Sequence, residues 1–169
     1  FRTIDFYVSN TDHTAMSPAV DTTIGDITLS VSDSGSISVS VSNRSDGVAG
    51  NTTVGNVSLT GGDNVTSEWF YLYQWGGAGA GNVTVGDVSL SAGVSATDVD
   101  TWIENYAGWM GGAAVAPIVQ GAMTVGDINV DLGMNSTGSF SVSAMAYTNA
   151  AAIDVSVGDY TVGDLSVTL

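Results

Sequence analysis

Residues 83–90 read VTVGDVSL, and the phrase returns at 22–29 as TTIGDITL, at 52–59 as TTVGNVSL, at 123–130 as MTVGDINV and at 160–167 as YTVGDLSV. A reaction centre is normally a single constellation, so a phrase said five times describes a building element. Its glycine falls at Gly25, Gly55, Gly86, Gly126 and Gly163, at intervals of 30, 31, 40 and 37 residues, the range of stacked coils and arrays. In the third copy Val83 and Val85 alternate with small polar residues before the Gly-Asp pair, and Val88 and Leu90 after it. Such alternation marks a strand with one buried face, and its single break at Gly-Asp marks a corner between two short strands. Glycine suits a corner because a sharp change of direction commonly demands a positive φ, and Asp or Asn can hydrogen-bond nearby amides.

Two geometries fit the corner. A two-residue hairpin would set Val85 opposite Val88 and lead to an antiparallel β-sandwich built of hairpins. A β-arc would send the two strands into different sheets, each paired with its equivalent one repeat away. Recurrence of nearly the same phrase favours the arc, because stacked coils must match the copies above and below. The expected fold is all-β, a solenoid or parallel β-helix of about five irregular coils in one domain over 1–169, with an N-terminal strand or arm over 1–20 and repeats over 21–169.

Between the phrases lie further strand-like segments, among them SISVSVSN (36–43), TSEWFYLYQW (66–75) and GSFSVSAMAY (138–147). In the second of these Trp69, Tyr71 and Tyr73 oppose Phe70 and Leu72, so both faces want cover or one is an adhesive surface. The longest interval contains ATDVDTWIENYAGWMGG (96–112), where Val99, Trp102, Ile103, Tyr106, Trp109 and Met110 fall at helical spacing behind Thr97 or Asp98 as a cap. This predicts a short inserted helix near 98–110. Its aromatic residues are expected to dock it on the core, the competing use being a surface for a glycan or partner built by Trp69, Trp75, Trp102 and Trp109.

Stacked coils would place Asp26, Asn56, Asp87, Asp127 and Asp164 in one column. Carboxylates one strand spacing apart repel by about 0.9 kcal/mol in water and far more in a low-dielectric interior. The column must therefore be solvated, displaced or neutralised, and calcium is the cation such oxygens would take, although corner Asp residues commonly serve only as turn caps. No other cofactor is implied. Thr23, Thr53, Thr84, Thr124 and Thr161 would form a second, outward column.

Charge and composition bound the function. The 169 residues carry 17 acids against two arginines, a formal charge of −15, which opposes binding to nucleic acid or anionic lipid. With no Cys there is neither a disulfide framework nor a thiolate metal site. No apolar run is long enough for a transmembrane helix. His13 is the sole histidine, Glu68 and Glu104 the sole glutamates, and no paired-acid spacing or phosphate loop is visible, so a non-enzymatic role is expected. Six Asn-x-Ser/Thr sequons, at Asn43, Asn51, Asn56, Asn64, Asn82 and Asn135, are glycosylation candidates of an extracellular or cell-surface chain.

The stretch GNVTVGDVSLSAG (81–93) resembles the Gly- and Val-rich coils of bacterial surface β-helical proteins, the filamentous-haemagglutinin-like adhesins. That resemblance implies secretion, a parallel β-helix and a role in adhesion or fibre formation, and carries over no catalytic residue. The family's coils are shorter and more regular, and nothing here matches its secretion domain. The last phrase runs to Leu169 with no polar cap, and FRTIDFYVSN at the start is apolar at Ile4, Phe6 and Val8. The expectation is a homopolymer in which this strand of one subunit adds to the edge formed by Leu165, Val167 and Leu169 of another. The leading reading is thus a secreted structural protein, a subunit of an extracellular filament or matrix. Its competitor is a cell-surface adhesin that binds glycan or calcium through the aromatic patches and corner Asp residues.

Overall fold

A computed structural model describes residues 2–13, 19–108, 117–146 and 154–169. The chain winds as a β-solenoid, each turn from the second on depositing one strand on each of four sheets and the first depositing strands on three among the described residues. The first turn contributes β1 (Thr3–Asp12), β2 (Thr22–Ile24) and β3 (Ile27–Val31), and the second β4 (Ser36–Ser45), β5 (Val48–Ala49), β6 (Thr52–Val54) and β7 (Val57–Gly61). The third turn holds β8 (Ser67–Gly76), β9 (Gly79–Ala80), β10 (Val83–Val85) and β11 (Val88–Ala92). The fourth holds β12 (Val99–Ala107), β13 (Ile118–Gln120), β14 (Met123–Val125) and β15 (Ile128–Leu132). The fifth holds β16 (Gly138–Ala146), β17 (Val155–Val157), β18 (Tyr160–Val162) and β19 (Leu165–Thr168).

Sheet A stacks β1-β4-β8-β12-β16, sheet B β2-β6-β10-β14-β18, sheet C β3-β7-β11-β15-β19 and sheet D β5-β9-β13-β17. Every pairing among the described strands is parallel and joins equivalent residues of successive turns. The corners are therefore arcs, and the sandwich of hairpins is excluded: β10 pairs with β6 and β14 and never with β11. Period-two alternation turns Val83, Val85, Val88 and Leu90 into a dry interior that joins Phe70, Leu72 and Ile103, all buried. Burying a side chain of this kind fully contributes about 1.5–3 kcal/mol.

The predicted helix near 98–110 is not formed. Residues 99–107 are the strand β12, paired residue for residue with β8 from Val99↔Glu68 to Ala107↔Gly76. Val99, Thr101, Ile103, Asn105 and Ala107 point inward, while Trp102, Glu104 and Tyr106 point out. The helical reading merged apolar residues that belong to two opposite faces of a strand. Polar Thr101 and Asn105 inside, with aromatics outside, hide the true period. Trp109 and Met110 lie outside the described residues.

Of the N-terminal strand or arm expected over 1–20, residues 3–12 form a strand, β1. They run in register with β4 from Thr3↔Ser36 to Asp12↔Ser45, as the first turn's own strand of sheet A, and Phe6 packs on the core.

One interior column is polar. Asn10, Asn43, Gln74 and Asn105 follow one another along sheet A. The Asn10 amide donates to Asn43 Oδ1 at 3.1 Å, and Gln74 Nε2 to Asn105 Oδ1 at 3.2 Å. Asn43 also donates to Thr52 Oγ1 at 3.1 Å, and Gln74 to the Gly81 carbonyl at 2.7 Å. A buried amide left unpaired would cost about 1–3 kcal/mol, so the column holds only while successive turns stay in register.

Candidate functional site

The corner column Asp26, Asn56, Asp87, Asp127 and Asp164 is exposed and is a hydrogen-bonded ladder. Asp26 Oδ1 accepts the Asn56 N–H at 2.8 Å, Asn56 Oδ1 the Asp87 N–H at 2.9 Å, Asp87 Oδ1 the Asp127 N–H at 3.0 Å and Asp127 Oδ1 the Asp164 N–H at 2.8 Å. Each side-chain oxygen thus reaches over the glycine of the next turn. A Cβ on Gly55, Gly86, Gly126 or Gly163 would collide with that oxygen and with backbone behind it. This corrects the reason for the glycine: none of these residues has a positive φ, and the constraint is room. Among the described residues no group of three or more His, Cys, Asp or Glu is arranged to hold a metal ion. Each side chain from Asp26 to Asp127 commits one oxygen to the backbone, in the manner of a turn cap.

The sequon residues divide into three kinds. Asn43 is 2% exposed within the amide column, which leaves no room for a glycan. Asn51, Asn56 and Asn82 are exposed at corners, but their Oδ1 atoms accept the Asn82, Asp87 and Ala122 N–H groups. Asn64 and Asn135 are exposed at φ 57 and 61, in a column of left-handed corner residues that includes Ser34 and Ser95. Of the assembly candidates, Ile4, Phe6 and Val8 are half-buried on the inner face of β1. Leu165, Val167 and Leu169 are 48%, 48% and 87% exposed at the opposite end of the stack.

Among the described residues, the outer face of sheet A carries the most varied chemistry. In the second and fifth turns it presents serine, at Ser38, Ser40 and Ser42 and at Ser139, Ser141 and Ser143. In the third and fourth it presents Trp69, Tyr71, Tyr73 and Trp75, then Asp100, Trp102, Glu104 and Tyr106. Register explains their meeting: Tyr71 stands beside Trp102, Tyr73 beside Glu104 and Trp75 beside Tyr106. The Tyr71 and Tyr73 rings stack at 6.1 Å, Tyr71 meets Trp102 edge-on at 6.3 Å and 89°, and Tyr73 meets Tyr106 at 5.8 Å. Each such pair contributes about 0.5–1.5 kcal/mol beyond its buried area. Arg44 lies over the Trp75 ring at 4.8 Å.

No family model, curated protein or solved structure matches this chain. The site must be read from its own chemistry. Tyr71 and Tyr106 hydroxyls donate to the Glu104 carboxylate at 3.4 and 3.2 Å. Burial, reinforced by that carboxylate, pushes the Tyr71 phenol up to about 12, which keeps it a donor. Asp100 Oδ1 accepts both the Ser139 N–H at 2.7 Å and its hydroxyl at 2.8 Å. An open groove of about 590 Å³ runs between these groups, lined by Trp69, Tyr71, Trp102, Asp100, Glu104 and Ser141 among others. Trp69 and Trp102 therefore share a site, whereas Trp75 lies beyond it under Arg44. The sequence reading missed Asp100 and Glu104 as members. Their only signal is shared parity with Trp102 on a strand, which the helical spacing over 98–110 hides.

The other glutamate faces inward. Glu68 sits between Ile37 and Val99, fully buried, with Oε1 accepting the Ser91 N–H at 3.0 Å and Oε2 without a partner. Desolvation raises its carboxyl to about 7, against the lowering influence of the Ser91 and Gly61 N–H groups. His13 is an exposed residue, 3.5 Å from Asp46.

Proposed function

We propose that the chain is a non-catalytic, secreted structural protein, the subunit of an extracellular filament or matrix that grows head to tail by β-strand addition. One observation carries this reading. At Gly55, Gly86, Gly126 and Gly163 the space of a side chain is filled by the Asp or Asn of the preceding turn, whereas at Gly25 nothing lies within 4 Å. Gly25 has the residue type of an occupied seat, and among the described residues no turn occupies it. At the other end of the stack Asp164 presents a carboxylate in the ladder's own geometry. A second copy stacked in register would bring Asp164 over Gly25 and let it accept the Asp26 N–H, while β16, β18 and β19 add to the edges of β1, β2 and β3.

The apolar interior supports the same contact. Leu165 and Val167 at one mouth are about half exposed, and Phe6, Ile24 and Leu29 at the other are only partly buried. The corner before β2 is less complementary, with Val20 where later turns have Gly50, Gly81, Gly121 and Gly158, so the joint is centred on the Gly25 corner. Because β1 is already paired within its own chain, the joint uses its free edge and not a released arm. The resemblance of residues 81–93 to fibre-forming surface adhesins points the same way.

Electron microscopy and sedimentation of the purified chain test the proposal. Wild type should form fibres of one subunit's width, and Gly25→Val should leave a folded, dispersed monomer. Dispersed wild-type protein at high concentration, or unchanged fibres in Gly25→Val, would overturn it.

A further inference from the structure

We infer that the groove on the outer face of sheet A binds a neutral oligosaccharide. The groove positions have no structural need of aromatics: the second and fifth turns continue the same sheet with Ser38, Ser40 and Ser42 beside Trp69, Tyr71 and Tyr73, and with Ser139, Ser141 and Ser143 beside Asp100, Trp102 and Glu104. The outward aromatics cluster on two adjacent turns, separated by the serines of the second turn from the lone Tyr7 of the first, and shape a groove of about 590 Å³. Trp102 is 44% exposed while its ring meets Tyr71 at 6.3 Å with the two planes 89° apart. Much of its apolar surface is thus open to a ligand while its neighbour restricts its movement.

The polar groups around that ring are set in the same way. Glu104 is held by the Tyr71 and Tyr106 hydroxyls, and Asp100 Oδ1 by Ser139, which leaves carboxylate lone pairs directed outward at fixed positions. Ser67 and Ser141 add hydroxyls that both donate and accept. A ligand that fits must offer an apolar face for Trp102 and several hydroxyl donors for the carboxylates, with no negative charge. A pyranose ring does so, its C–H face stacking and its hydroxyls bonding at the rim. Anionic sugars and phosphates are opposed by Asp98, Asp100 and Glu104 in the groove and by the chain's −15 charge. A compact cation would need ring faces converging on a void, and here Tyr71 and Trp102 meet each other edge to face. The groove lies on the third and fourth turns, so the inference does not depend on end-to-end assembly.

The test titrates the chain with neutral oligosaccharides of three or more units, covering β- and α-linked glucose, mannose, xylose and N-acetylglucosamine, followed by tryptophan emission and calorimetry. At least one series should bind and change the emission. Trp102→Ala should weaken it by about tenfold or more, the loss of one good stacking contact. Glu104→Gln should weaken it less, and Trp75→Ala, outside the groove, should leave it unchanged. Circular dichroism of each variant establishes that it is folded. Absence of binding by folded wild type up to millimolar sugar would overturn the inference. So would sugar binding that survives Trp102→Ala, or a groove that takes tetramethylammonium in place of every sugar and loses it in Trp102→Ala.

Discussion

The corner between sheets B and C and the long wall of sheet A are built by the same five turns, yet they differ in what they repeat. At the corner the turns agree almost residue for residue: Thr23, Thr53, Thr84, Thr124 and Thr161 stand outward in one rank, and the Asp/Asn ladder stands beside it. On sheet A the outward positions change from Asp5 and Tyr7 in the first turn to serine, then to aromatic and acid, and back to serine. The inward positions change as well, from Ile37 to Glu68 to Val99. Repetition is imposed where a side chain of one turn occupies space in the next. Where no side chain must fit against the next turn's backbone, the residues are freer to differ, and those positions are available for chemistry.

The largest effect that would sharpen the contrast concerns Glu68. Its carboxyl titrates near 7 in the folded chain, against 4.5 for an ordinary glutamate. The folded state therefore holds the proton more tightly than the unfolded one. Stability from this group is fully present below pH 4.5 and is lost as pH rises through about 7. The full loss is about 3 kcal/mol. Urea denaturation at pH 5 and pH 8 should show this decrement in wild type, and Glu68→Gln should remove it while leaving the general response of the other carboxylates. An equal pH dependence in both proteins would mean that Glu68 is hydrated in solution.

Next comes the repeated corner itself. Gly86→Ala sets a methyl against Asn56 Oδ1 and the backbone of residues 55 and 56 in the middle of the stack. Overpacking of this kind should destabilise by about 2 kcal/mol, read as a lower urea midpoint with unchanged slope. A neutral result would show that the corner yields, and that repetition there has another cause.

How much of this was legible follows from the same contrast. The arcs could be read because Val83, Val85, Val88 and Leu90 alternate cleanly and the phrase recurs. Residues 99–107 could not, because their inner face carries Thr101 and Asn105 and their outer face Trp102 and Tyr106, so neither face is uniformly apolar. The amide column was invisible for a related reason: Asn10, Asn43, Gln74 and Asn105 are chemically alike, but beyond the VSN shared by 8–10 and 41–43 their segments have little in common. Within TSEWFYLYQW strand parity puts Glu68 with Phe70 and Leu72, but the opposite face is as apolar, so parity alone does not say that the acid is buried. The groove was half legible. Trp69 and Trp102 were named, but their meeting depends on a register that only the stack defines.

On the variable wall, loss of an outward aromatic should matter less to the fold than loss of a corner glycine. Trp102→Ala removes one edge-to-face contact with Tyr71 from a half-exposed position, and should cost about 1 kcal/mol. A cost matching that of Gly86→Ala would make the aromatic belt a structural element first and weaken the case for a binding face.

The smallest effect separates two copies of one phrase. Gly25 and Gly86 hold the same place in TTIGDITL and VTVGDVSL, yet a methyl at Gly25 meets nothing within 4 Å. With a backbone that L-residues adopt readily, Gly25→Ala should lie within about 0.5 kcal/mol of wild type, on the stabilising side if the loss of freedom in the unfolded chain is felt. The measurement belongs at concentrations where the protein is dispersed, so that only contacts within one chain are read. If Gly25→Ala destabilised the dispersed protein as much as Gly86→Ala, the seat over Gly25 would already be filled from within the chain, and the joint between copies would lose its vacancy. If the two variants differ as expected, four copies of the phrase fit their glycine against the preceding turn, and the first does not.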